Sequence, residues 1–274
     1  MTVGDFDNDG DMDVAACVDY RETPDPDKDL IYIALNDGTG ILSLSSESPY
    51  TLSQGSSYGP GDVVAGNFDL IPGILQLPDL FTSGAEINGL ATVVSGSNIG
   101  GAVFSLANVG ACPAYLTDIK PGVLTSGHLQ DDAIGVGSDR NVYVYHSDGN
   151  GGFSIDCTGG VDDVYPLYET GIVTFYPLGL DVGHLNGGTK LDVVAADAYG
   201  SEVVCLLGKG DGTLQHSLYD NRYYHDVGAA RPIRVAVADM DQDGFSDIIT
   251  SNHGEVNDPA SISVLINEFT ISSQ

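Results

Sequence analysis

A chain of 274 residues with 42% hydrophobic content can bury a sizeable core, and its length suits one large all-β domain or two small ones. Nine Lys and Arg stand against 39 Asp and Glu, a formal net charge of −30, so a nucleic-acid backbone is excluded as a partner because phosphate contacts need cationic side chains. The acids are 32 Asp and 7 Glu, and with 36 Gly this bias points to turns and to short-armed oxygen ligands for a hard cation.

The same balance would suit a soluble protein in a salty habitat, and composition alone does not separate the two. No apolar span of 18 residues occurs, so no transmembrane helix or membrane insertion is expected. No secretory signal precedes Thr2, which is expected either of a processed chain or of an excised piece.

In chain order, the first unit reads TVGDFDNDGDMDVAACV from Thr2: a short apolar strand, an Asp-rich loop and a second apolar strand. A third run, LIYIAL, and a Gly-rich turn, NDGTG, follow. The second unit is VVAGNFDLIPGILQLPDLFTS from Val63, with GGAVFSL as its third run. The third is LTSGHLQDDAIGVGS from Leu124, then NVYVYH and SDGNGG. The fourth is LDVGHLNGGTKLDVVAA from Leu180, then EVVCLLG and GKGDGT. The fifth, VAVADMDQDGFSDIITS from Val235, continues as SISVLIN without a Gly-rich turn.

Taking Asp5, Asn67, His128, His184 and Asp239 as first loop positions, the spacings are 62, 61, 56 and 55 residues. Short runs rich in Val, Ile and Tyr between Gly, Asp and Asn predict strands, and the Gly-rich turns predict hairpins. Nothing sustains a helical period. About four strands per unit predict an all-β chain: one β-propeller domain over 1–274 of about five four-stranded blades, at approximately 1–60, 61–121, 122–177, 178–232 and 233–274.

GDFDNDGDMDVA and ADMDQDGFSDII resemble the FG-GAP/VCBS repeat, the blade unit of the integrin α-subunit propeller and of many secreted microbial proteins. The resemblance is strong in the first and last units, recognisable in the other three and spread over nearly the whole chain. The literal FG and GAP tripeptides are not found, and the middle loops have lost most of their acids. The resemblance implies a calcium-stabilised binding or adhesion module outside the cell or at its surface. A structural subunit of a surface layer or extracellular filament is the alternative. A polysaccharide-active enzyme domain is disfavoured, because such propellers tend to keep basic residues and this chain has nine.

In D-x-D-x-D-G-x-x-D, carboxylates at positions 1, 3 and 5 converge, Gly at 6 allows a sharp turn, and the carbonyl of 7 and carboxylate of 9 complete an oxygen cage for Ca²⁺. These are Asp5, Asp7, Asp9, the Asp11 carbonyl and Asp13 in the first unit, and Asp239, Asp241, Asp243, the Phe245 carbonyl and Asp247 in the last. About two Ca²⁺ ions are therefore expected. An EF-hand needs Glu at position 12, where this chain has Ala16 and Thr250, and helical flanks where these are strands. The loop from His184 keeps only Asn186 and Asp192 and is expected to be metal-free. The loop from Asn67, lengthened before Asp79, and that from His128, read as shortened, are expected to hold their shape without metal.

Strand order puts the Asp loops and Gly turns on one face. The opposite face carries two long polar loops, and ring closure would place them side by side: Asp25, Asp27 and Asp29 with His253, Glu255 and Asp258 form a candidate contact surface. Two solvated acidic loops would read the same way. Tyr165, Tyr168, Tyr176, Tyr219, Tyr223 and Tyr224, with His225, suit either sugar stacking and protein contact or packing between units. Cys17 and Cys205 read as buried thiols, and Cys112 and Cys157 could pair. There is no G-x-S-x-G, H-E-x-x-H or phosphate loop, so no enzyme is expected. Expected partners are a protein or carbohydrate ligand, or further copies of the chain. The missing turn after SISVLIN leaves an incomplete edge that invites strand addition.

Overall fold

A computed structural model describes the chain except residues 19–29, 52–60, 70–76, 84–85, 88–89, 99–101, 103, 113–115, 158–162, 168–176, 199, 216–222, 229–230, 255–258 and 269–274. The fold is all-β, with no helix among the described residues. Five antiparallel sheets follow one another along the chain.

The first sheet holds β1 (Thr2–Gly4), β2 (Asp13–Val18), β3 (Leu30–Asn36), β4 (Leu42–Leu44) and β5 (Tyr50–Thr51). β4 and β5 divide the outer edge of β3 between them. The second holds β6 (Val63–Gly66), β7 (Asp79–Thr82), β8 (Glu86–Ile87), β9 (Leu90–Asn98) and β10 (Phe104–Cys112). The third holds β11 (Leu116–Gly122), β12 (Asp132–Gly137), β13 (Asn141–Ser147), β14 (Phe153–Ser154) and β15 (Val164–Pro166). The fourth holds β16 (Pro177–Gly183), β17 (Asp192–Asp197), β18 (Glu202–Leu206) and β19 (Tyr223–Asp226), and the fifth β20 (Pro232–Ala238), β21 (Asp247–Asn252) and β22 (Ser261–Leu265).

Two assignments made from sequence are corrected. The first strand of the third unit is β11, ending at Gly122, which pairs with Asp132 as Gly183 pairs with Asp192. The loop therefore starts at Val123, not His128, and is longer by one residue rather than shortened. Leu124, 2% exposed, takes the place that Phe6 and Phe68 hold in the first two sheets. In the second unit the third strand is β9, and GGAVFSL runs instead into β10.

One device recurs in every sheet. The aspartate that opens the second strand is buried and ties two distant backbone N–H groups. Asp13 accepts from Phe6 and Asn36, each at 2.8 Å. Asp79 accepts from Phe68 at 3.1 Å and Asn98 at 2.8 Å, and Asp132 from Leu124 at 3.2 Å and Ser147 at 3.1 Å. Asp192 accepts from Leu185 and Gly208, each at 2.9 Å, and Asp247 from Met240 at 2.7 Å and Asn267 at 2.8 Å. One carboxylate thus fixes both the loop after the first strand and the end of the third. A buried acid is tolerable there because both oxygens are hydrogen-bonded.

Neighbouring sheets are joined by a second set of bonds along their first strands. Thr2 Oγ1 accepts the Ala65 N–H at 3.1 Å, Asp62 that of Ile119 at 3.3 Å, Asp118 that of Leu180 at 2.9 Å and Asp181 that of Val237 at 2.7 Å. Burial, then the neighbouring Asp118, pushes the Asp62 carboxyl above its ordinary range. Close approach also demands Gly179, where a Cβ would meet the Arg234 Cα at 2.8 Å. A cavity of about 420 Å³ is lined by Thr2, Asp62, Asp118, Lys120 and Arg234, from the first strands of four of the five sheets.

Between the sheets lie four apolar clusters, one per junction along the series. The middle strands β12 and β17 are buried throughout. Among the described residues, each of the two end sheets is covered on one face. Across the first sheet the row Val3, Val14, Ala34, Leu44 faces away from the second, with Val3 53% and Leu44 60% exposed. Across the fifth, Ala236, Ile249 and Val264 form the outward row, with Val264 46% exposed. Among the described residues no apolar cluster joins the first sheet to the fifth.

Asp192→Ala should lower the unfolding free energy by about 3 kcal/mol in urea melts, since two buried N–H groups lose their acceptor. For Asp79, burial outweighs its N–H donors and pushes the carboxyl from 3.8 up to about 6. The folded state then binds the proton more tightly than the unfolded chain. This contribution is fully present below the unfolded value and is lost as pH rises through about 6. Relative to Asp79→Asn, the parent protein should therefore lose stability between pH 4 and 6; urea midpoints measured across that range check the sign.

Candidate metal centres

The loops of the first and fifth sheets are built alike. Asn8 and Gln242 adopt φ of 65° and 64°, and Gly10 and Gly244 φ of 93° and 94°. The glycine at loop position 6 is thus required by a left-handed backbone. The N–H of Gly10 donates to Asp5 at 3.1 Å and that of Gly244 to Asp239 at 3.0 Å, folding each loop back on its first acid.

This fold brings acids together in two places. Ligand-capable oxygens of Asp5, Asp7 and Asp13 all lie within 4.8 Å of one another, as do those of Asp239, Asp241 and Asp247. Asp13 and Asp247 are fully buried, whereas their partners are half-buried in the first loop and exposed in the last. Burial, then the charges of Asp13, Asp9 and Asp5, pushes the Asp7 carboxyl above its ordinary range against the Asp9 N–H that it accepts. Three converging carboxylates with further lone pairs available suit a hard divalent cation.

The remaining predicted ligands are the Asp9 and Asp243 carboxylates and the carbonyls of Asp11 and Phe245. Asp9 accepts the Asp11 N–H at 2.9 Å and Asp243 that of Phe245 at 2.8 Å, and neither joins its triad. Asp11 turns its carboxylate against the Gly-rich turn, where a Cβ on Gly38 would meet its Oδ2 at 2.6 Å. In the first sheet the Asp loop and the Gly turn therefore lie on the same face. In the fourth sheet, Asn186 accepts the Gly188 N–H at 3.1 Å, and His184 Nδ1 lies 2.9 Å from the Lys190 carbonyl.

Of the candidate contact surface, Asp25, Asp27, Asp29, Glu255 and Asp258 lie outside the described residues; His253 is exposed just beyond β21. Tyr165 is buried and belongs to the core, so it is removed from the aromatic candidates. Tyr168, Tyr176 and Tyr219 lie outside the described residues, as do the side chains of Tyr223 and Tyr224. Cys205 is buried, and its thiol is pushed up to about 12, first by burial and then by Asp192. Cys17 is a thiol too, but only partly buried. Cys157 is disulfide-bonded, and the side chain of Cys112, its expected partner, is outside the described set.

Sequence reasoning missed the structural role of Asp79 and Asp132. The signal was present in DLFT and DAIGVG, which open on Asp just as DVAACV, DVVAAD and DIITSN do.

No protein-family model matches the chain, and no curated protein does. Among solved structures the chain is similar to BBS1N, crystallised in complex with ARL6DN and soaked with lead. The two are 8% identical with a TM-score of 0.38, over 83% of this chain and 74% of that one.

Calorimetry after chelation should count about two calcium sites. Asp7→Ala and Asp241→Ala should each remove one and leave the other; a count of zero, or a preference for a transition metal, would contradict the assignment.

Proposed function

We propose that the chain is a calcium-stabilised β-propeller of about five blades that works outside the cell or at its surface as a binding or adhesion module rather than as an enzyme. The observation that carries this reading is the pair of acid triads on the first and last sheets. In each, the buried aspartate that would hold the ion, Asp13 or Asp247, also ties its sheet together. Asp5 and Asp7, or Asp239 and Asp241, would complete the carboxylate set. The ion would neutralise three acids that otherwise repel one another and so brace a rigid loop face. Such a scaffold suits recognition of a protein or a carbohydrate by variable loops.

The alternative, a subunit of a surface layer or filament, draws on a separate observation. The outward rows of the first and fifth sheets expose Val3, Leu44 and Val264, and such apolar rows suit contact between copies or with further domains.

Glycan and protein arrays probed in calcium and in chelator test the binding reading: calcium-dependent capture, lost in the Asp7→Ala, Asp241→Ala double variant, is expected. Filaments or sheets of the native material in electron microscopy would favour the alternative. Thermal melts should shift on chelation, since a ligand at 100 times its Kd stabilises by about 2.7 kcal/mol per site. Superimposed melts would contradict calcium bracing.

A further inference from the structure

At three of the four junctions one apolar side chain from beyond the end of the third strand packs against the loop of the preceding sheet. Phe104 packs edge-on to Phe6 at 5.7 Å, and Phe153 to Phe68 at 5.2 Å. Leu214 is buried in one cluster with Leu124. Each lies six residues beyond the third-strand residue held by the buried aspartate (98 to 104, 147 to 153, 208 to 214). Each approach is also fixed by a tyrosine or a second ring: Tyr50 Oη accepts the Phe104 N–H at 3.3 Å and Tyr165 Oη that of Leu214 at 3.1 Å, while Phe81 meets Phe153 edge-on at 4.8 Å.

The fourth junction has a cavity at this place. About 450 Å³ is lined by Leu185, Cys205, Leu207, His225, Ile248 and Leu265 among others. Leu185 is the counterpart of Phe6 and Leu124. His225 pairs with Val203 as Tyr165 pairs with Val142, so it stands where the tyrosine stands elsewhere. β22 borders the cavity, and among the described residues no strand pairs with its outer edge.

The sequence after Asn267 lacks the glycines that the other turns carry. In the intact Gly turns, the second and fourth residues after the one held by the buried aspartate have left-handed backbone: Gly38 and Gly40, Gly149 and Gly151, Gly210 and Gly212. After Asn267 those places are Phe269 and Ile271, and the sixth is Ser273. A β-branched or bulky residue resists positive φ, and serine offers no apolar cap.

We propose that β22 and this cavity accept an extended strand from a partner polypeptide, paired along the outer edge of β22, with a Phe or Leu side chain filling the cavity beside Leu185. The mode is strand addition: backbone hydrogen bonds supply pairing and the buried side chain supplies selectivity. This deepens the binding reading by naming a partner's chemistry, and it is independent of the loop face: array capture on that face could persist when strand binding fails, and the reverse.

The probe is a synthetic peptide of the chain's own second-sheet segment, residues 100–110 (GGAVFSLANVG), titrated into the full chain in calcium. Saturable binding with amide shifts along Ser261–Leu265 is expected, weakened about tenfold or more when the peptide's Phe is replaced by Ala. Leu185→Phe, which fills the cavity, should block the peptide; if that variant does not fold, the peptide series decides. Binding equal for Phe and Ala peptides, or none, overturns the proposal. A tenfold gain in peptide affinity in the Phe269→Ala, Ile271→Ala variant would show that the chain's own tail occupies the groove and would overturn it as well.

Discussion

The structure depends on a buried aspartate at the start of each second strand. Its two oxygens accept N–H groups from the loop before it and from the end of the third strand, so a single side chain sets where three chain segments meet. Elsewhere a buried carboxylate would be a liability. Here each donor is a backbone N–H that would itself be orphaned, since the loop and strand end leave the sheet ladder at that point. Asp132 keeps the arrangement although its loop is one residue longer, and Asp79 keeps it across a much longer insertion. The loop between can vary because the aspartate, not the loop, holds the register.

Asp13 and Asp247 serve this role and also stand in the acid triads. A cation held there would pull on the same carboxylate that organises the sheet, which makes metal binding and local folding one equilibrium. Asp132 and Asp192 carry the structural half of that role without the neighbouring acids. Among the described residues, the acid triads form only around the anchors of the first and last sheets.

The junctions follow the same economy of parts. Asn98 and Asn267 are held by their own sheet's aspartate through the backbone, and each side-chain amide donates to a loop carbonyl of the preceding sheet, Phe6 and Leu185 respectively. Ser147 does the same to Phe68. Gly208 has no side chain to give, and there backbone bonds take over, with Ser126 donating to Gly210 at 2.8 Å. The Asn36 amide donates instead within its own sheet, to the Met12 carbonyl at 3.3 Å, and its oxygen accepts the Gly38 and Gly40 N–H groups.

The sequence by itself determined the all-β class, the repeat, the Gly turns and the acids of the two triads, because each rests on local chemistry. Strands show in short β-branched runs, and turns in glycines at positions that need left-handed backbone. Tertiary structure decided what depends on partners far apart in the chain. His128 looked equivalent to His184 because both precede a leucine, but hydrogen bonding puts Val123 and Leu124 in the loop's opening places. GGAVFSL looked like a third strand because apolar runs do not state their order, and only the bond from Asn98 to Asp79 identifies β9. Asp9 and Asp243 fit the ligand pattern by spacing, but the fold gathers only Asp5, Asp7 and Asp13, and Asp239, Asp241 and Asp247, within 4.8 Å of one another. Composition could not foresee the bare faces of the end sheets or the cavity beside Leu185. Burial is set by which sheets meet, and that is a property of the assembled fold rather than of any one segment.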